Sequence, residues 1–260
     1  FENPFILSNS VLSGPTTGGT LVTFSTSTIS DSDMGAFVCV FGNITVSAIA
    51  TTHSIQCRSP QSNSNEAIHV NLFIQRIDGS LVFQSASFNY YITPVITKID
   101  PEYMSELGAS EIFFTTVEPV SVHTSISCRY GTGTDMLTSY GRYVSQYMFA
   151  CDVPAYRPGV VAIYVSFNGI DYNEVTEHSF EYIPHATVSF IIPKVVSTGG
   201  NDDIILHGTA LTAAGHATCI IDGMIIHDTK IINSTSVLCV APPRVAGVVS
   251  VDVSVNGRDV

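Results

Sequence analysis

Apolar and polar residues alternate along much of this chain with a period of two, in short runs that end at turn dipeptides. Val249, Val251, Val253 and Val255 alternate with Ser250, Asp252 and Ser254 and run into Asn256-Gly257. Val161, Ile163, Val165 and Phe167 run into Asn168-Gly169, and Ile68, Val70, Leu72 and Ile74 lead toward Asp78-Gly79. In an extended chain successive side chains point to opposite faces, so this alternation predicts strands with one buried face. Asn-Gly and Asp-Gly supply the backbone geometry of a tight hairpin. Two of the three segments then close on an aromatic strand, SFNYY (87–91) and SFEYI (179–183), followed by Pro94 and Pro184. No stretch of ten or more residues carries a helical period, so the expected fold class is all-β.

The cysteines show that this pattern repeats. They fall in pairs, Cys39/Cys57, Cys128/Cys151 and Cys219/Cys239; first members are 89 and 91 residues apart, second members 94 and 88. A fixed period near 90 marks a tandem array. Other features recur in phase. Each second cysteine is followed three residues later by proline, in CRSP (57–60), CDVP (151–154) and CVAP (239–242); each first cysteine leads into a glycine turn, in CVFG, CRYG and CIIDG. The expected organisation is three repeats, 1–92, 93–184 and 185–260.

Parity places the cysteines indoors. Phe37, Cys39 and Phe41 share a face, as do Phe149, Cys151 and Val153, and Val237, Cys239 and Ala241. Each cysteine can therefore meet its partner inside its own sandwich. A bridge closing a loop of about 20 residues stabilises by roughly 3 kcal/mol and implies an oxidising compartment. Six buried free thiols in a reducing compartment stay open as the alternative. Zinc is disfavoured, because no Cys-x-x-Cys spacing occurs.

At these residues the pattern resembles the IPT/TIG family, immunoglobulin-like domains shared by plexins, related receptors and many protist surface proteins. The first repeat carries Gly14-Pro15, Gly18-Gly19-Thr20-Leu21-Val22-Thr23, Cys39-Val40-Phe41-Gly42, Cys57-Arg58-Ser59-Pro60 and Phe88-Asn89-Tyr90. The third carries Gly199-Gly200, Cys219 and Cys239-Val240-Ala241-Pro242; the second departs most, with Leu107-Gly108 where a Gly-Gly pair is expected. The resemblance covers essentially the whole chain. It implies tandem immunoglobulin-like β-sandwiches and no catalytic residues, and leaves function to be argued from sites.

Composition narrows the partners. Net charge is −12 with ten scattered Lys and Arg, so the clustered cations that neutralise phosphates are missing and nucleic acid is excluded. No apolar run approaches the roughly 18 residues that span a bilayer. No G-x-S-x-G, H-E-x-x-H or P-loop appears, so no enzyme and no cofactor is expected. Gly131-Thr132-Gly133-Thr134 reads as a turn. His207, His216 and His227 share a repeat, but their spacing does not favour a metal site. Asp31/Asp33, Asn201-Asp202-Asp203 and Asp100-Pro101-Glu102 could offer oxygens to Ca²⁺, yet none completes a ligand loop and solvated turns are the expectation. Asn43-Ile44-Thr45 and Asn233-Ser234-Thr235 are N-glycosylation acceptors, so N-linked glycans are expected at Asn43 and Asn233. Tyr140, Tyr143 and Tyr147 form a dense aromatic cluster in TSYGRYVSQY, read as an elaborated hairpin rather than a sugar platform.

The two ends are in phase with each other. Phe1-Glu2 matches Phe180-Glu181, so residues 1–4 read as the last strand of a preceding repeat, while the third repeat lacks its own closing strand. Either the 260 residues are an excerpt of a longer array, or the leading strand completes the open sandwich of another copy and builds a filament. The expectation is an extracellular or cell-surface glycoprotein with a structural or adhesive role. Its partners would be further repeats, other copies of itself, or protein or glycan ligands. The rival reading is the ligand-binding ectodomain of a plexin-like receptor.

Overall fold

The computed structural model describes residues 4–121, 125–213 and 215–256. Apart from one 3₁₀ turn at Asp31–Asp33, its regular elements are strands, and the buried apolar side chains fall into three separate clusters, one per repeat. Each repeat is a two-sheet sandwich. In the first, Ile6–Asn9, Leu21–Thr26 and Ser54–Arg58 lie in one sheet; Phe37–Phe41, Ile68–Arg76, Leu81–Tyr91 and Ser13–Pro15 lie in the other.

One strand belongs to both sheets. In Ile44–Thr51, residues 44–47 pair with Phe37–Phe41 and residues 48–51 pair with Ser54–Arg58. Asp135–Ser145 does the same in the second repeat, pairing first with Ser127–Thr132 and then with Met148–Asp152. In the third repeat this strand is broken in two, Met224–Ile226 on one sheet and Thr229–Asn233 on the other. The side-chain alternation of these strands lets one face of each sheet fill the space between them.

The cysteines sit on the two strands that this crossing element joins. Cys39 bridges Cys57, Cys128 bridges Cys151, and Cys219 bridges Cys239, closing separations of 18, 23 and 20 residues. All six are fully buried, and none is left free. Aromatic rings pack around them. Phe41, Phe88 and Tyr90 meet edge to face in the first repeat, as do Phe180 and Tyr182 in the second.

The Cys-x-x-Pro and Phe-x-Tyr motifs turn out to touch. Tyr90 donates its hydroxyl to the Pro60 carbonyl at 2.9 Å, and Tyr182 donates to the Pro154 carbonyl at 2.9 Å. Each bond ties the last strand of a repeat to the turn after its second cysteine. Burial pushes the Tyr90 phenol up to about 12 and raises Tyr182 likewise. In the third repeat no described residue takes this place, and the second edge of Val251–Ser254 is unpaired among the described residues. Phe1-Glu2, read as a strand of a preceding repeat, lies outside the described residues, as does Gly257.

Tyr90→Phe and Tyr182→Phe should each lower stability by about 1 kcal/mol, the usual net worth of one hydrogen bond. The urea midpoint would show it; unchanged midpoints would mean that the two motifs are joined by packing alone.

Candidate functional site

The residues singled out by sequence do not assemble into a reaction centre. His207 stacks on Phe190 and its Nδ1 lies 2.9 Å from the Ser236 hydroxyl. His216 packs against Tyr103, and His227 stands exposed at a bend. Ser105 and His185 make a second serine–histidine contact at 3.3 Å. Glu106 accepts the backbone N–H of His185 at 3.2 Å, but among the described residues no carboxylate hydrogen-bonds the ring of either histidine, so the nucleophile–base–acid geometry is incomplete. Among the described residues no group of three or more His, Cys, Asp or Glu could hold a metal ion.

The acidic pairs are engaged in the fold. Arg76 donates to both oxygens of Asp33, at 3.1 and 3.3 Å, in a buried fork. That guanidinium holds the Asp33 carboxyl below its ordinary value. Asp202 accepts the Ser197 N–H at 2.5 Å, and Asp100 lies 4.0 Å from Lys98. The tyrosine cluster is dispersed. Asp135–Ser145 changes sheets after Tyr140, so Tyr140 is 85% exposed opposite Ser127, while Tyr143 packs on the core opposite Phe149. Asn43 is exposed in the turn after Phe37–Phe41; Asn233 is exposed at the end of Thr229–Asn233, its Oδ1 accepting the Thr235 N–H and hydroxyl.

Two places bring residues of different elements together in ways that bear on function. One is a groove of about 240 Å³ on the third repeat, lined by Val195, Val196, Ile221, Val245, Val249 and Val251; Val195 and Val245 are 85% and 90% exposed. The other is the contact between the first two repeats. There Asn168 donates to the Ser13 carbonyl at 2.9 Å, Thr20 donates to Asp171 Oδ2 at 2.5 Å, and Tyr91 meets Phe167 edge to face. Burial, and secondly the Asp171 carboxylate, raise the Tyr91 phenol above its ordinary value. Sequence reading treated Asn168-Gly169 as a hairpin turn only and did not single out Asp171. The contact surface is thus built from polar loop residues rather than a catalytic cleft.

The sequence model of the IPT/TIG domain matches residues 186–260, so the third repeat is an IPT/TIG domain. The first two repeats share its strand and cysteine plan. Plexin-A2 of Mus musculus is 27% identical over 99% of this chain, which spans 14% of that protein's length. Among solved structures, the full extracellular region of plexin A4 aligns with 94% of this chain and 21% of its own, at a TM-score of 0.48 and 17% identity. A second structure of the plexin A4 extracellular region gives 0.39 and 10% identity, covering 97% of this chain and 32% of its own.

The Asp33–Arg76 fork sets a pH dependence. A carboxyl whose folded value is depressed contributes its stability in full above the ordinary value near 3.9 and loses it as pH falls through the folded value. The thermal midpoint of the first repeat should therefore drop as pH is lowered below about 4, and Asp33→Asn should both lower the neutral-pH midpoint and flatten that drop. A parallel acid slope in the variant would assign the dependence to other carboxylates.

Proposed function

We propose that this chain is a segment of the extracellular part of a cell-surface protein of plexin-like build, in which three sandwiches act as a non-catalytic spacer that presents protein-binding surfaces. The observation that carries this reading is the similarity to plexin-A2 across nearly the whole chain, with all six cysteines in within-repeat bridges. Such bridges fit the oxidising secretory route. The low charge and the exposed Asn43 and Asn233 fit a sugar-bearing surface, and both acceptors are proposed to carry N-linked glycans. The division at 92/93 and 184/185 is proposed as the working boundary of the repeats.

An adhesive, self-associating role is the second reading. It is favoured by the exposed valines around the groove of the third repeat, since exposed apolar patches mark contact surfaces. The two readings part in solution. Sedimentation of the secreted 260-residue chain over a wide concentration range should give one elongated monomer under the spacer reading; growing, non-closing oligomers would favour adhesion instead.

Secretion of the chain from a eukaryotic host should yield a product that loses mass on enzymatic deglycosylation. Asn43→Gln and Asn233→Gln should each remove one glycan's worth of that mass. An unshifted double variant is the required control, and a wild type that carries no glycan would remove sugar coating from the account.

A further inference from the structure

We propose that the loop Ser166–Asp171 is a coupling surface whose partner is the hydroxyl-bearing rim of the preceding repeat, and that one rim position decides which repeat can be coupled. The loop is preorganised. Asn168 is buried, and its Oδ1 accepts the Ser166 hydroxyl at 3.1 Å and the N–H groups of Ile170 and Asp171 at 3.0 and 2.9 Å. With its acceptor side satisfied inside the loop, the Asn168 amide donates outward to the Ser13 carbonyl and inward to Asp171 Oδ2 at 2.8 Å. Asp171 in turn accepts the Thr20 hydroxyl. A hydrogen bond to a carboxylate is about twice as strong as a neutral one, and the Tyr91–Phe167 contact flanks this one with apolar surface.

The rim is built to present that hydroxyl. Thr20 is fully buried, and a Cβ at position 14 would lie 2.2 Å from its Oγ1, so Gly14 leaves the space the hydroxyl occupies. The same backbone position is identifiable in all three repeats. The carbonyl of Thr20 accepts the Ser59 N–H, that of Ser110 accepts the Val153 N–H, and that of Asp202 accepts the Ala241 N–H. The side chain there is a hydroxyl in the first two repeats and a carboxylate in the third.

The loop sequence also recurs. Ser-x-Asn-Gly-x-Asp stands at 166–171 and again at 254–259, and Ser254 donates to Asn256 Oδ1 at 3.3 Å as Ser166 does to Asn168. Residues 257–259 lie outside the described residues, so the recurrence is one of sequence. Thr20 and Ser110 can both donate a hydrogen bond to a carboxylate. Asp202 cannot, because an ionised carboxylate only accepts, and two like charges in contact repel. The rim of the third repeat therefore rejects an Asn-Gly-x-Asp loop and selects a partner loop that brings an amide or a cation. This inference stands whether the array is a receptor segment or an adhesin.

The test is energy transfer between one dye on an exposed residue of the first repeat and one on the second, in the full chain. The wild type should give one narrow distance distribution. Asp171→Ala and Thr20→Val should broaden it, and unchanged distributions in both would overturn the coupling. Thr20→Asp, which installs the third repeat's residue, should broaden it too, and Asp171→Asn should restore it in the double variant by supplying an amide donor. Failure to restore, with the near-UV circular dichroism of the first repeat intact, would overturn the selectivity. If Thr20→Asp does not fold, Asn168→Asp replaces it: a second carboxylate in the loop should broaden the distribution, and no broadening would count against the account.

Discussion

Everything in this molecule depends on two sheets being held at one separation by a pair of cysteines that both point inward. A repeat of about 90 residues buries little apolar surface for its size, and loop entropy works against closing it. The bridge removes part of that entropy from the unfolded chain. It joins the two strands that the crossing strand also connects, so covalent and hydrogen-bonded links act on the same spacing. Once the spacing is set, Phe24, Phe41 and Phe88 in the first repeat, and Phe114, Phe149 and Phe180 in the second, fill the gap as fully buried rings. The tyrosine hydroxyl on the proline carbonyl then fixes the last strand to the turn beside the bridge.

The same economy governs what lies between repeats. Few charged side chains are present, and the contact between the first two sandwiches sets one buried amide, one carboxylate and one hydroxyl beside the Tyr91–Phe167 ring pair. Interfaces between domains of one chain are commonly modest and polar. Polar contacts of this kind are directional, so they fix an angle as well as an attachment. The proposed spacer role would need that property, since flexible joints would not hold binding surfaces at a defined distance. The chain thus joins sequence to function through a short path, from a turn dipeptide to a preorganised loop to a set orientation.

Much of this was legible in the residues. Period-two alternation, in-phase cysteines and Asn-Gly or Asp-Gly turns define the strands and their repetition because each acts within a few residues. Contacts spanning 30 residues or more were not legible. Cys-x-x-Pro and Phe-x-Tyr were visible as separate motifs, yet nothing local says that Tyr90 reaches Pro60. The tyrosines at 140, 143 and 147 looked like one cluster because neighbours in sequence were taken as neighbours in space; the strand changes sheets after Tyr140 and separates them. Asp171 passed unnoticed as a lone acid, although its recurrence at Asp259 within Ser-x-Asn-Gly-x-Asp was a signal that periodicity could have given.

The account stands on the inward pairs being bridged within each repeat, in the protein as the cell makes it. Peptide mapping of that protein under non-reducing conditions, with free thiols blocked at lysis, tests this most directly. The predicted result is three linked pairs, Cys39 with Cys57, Cys128 with Cys151 and Cys219 with Cys239, and no blocked thiol. Cysteines recovered blocked, or linked from one repeat to another, would contradict both the sandwich architecture and the extracellular setting.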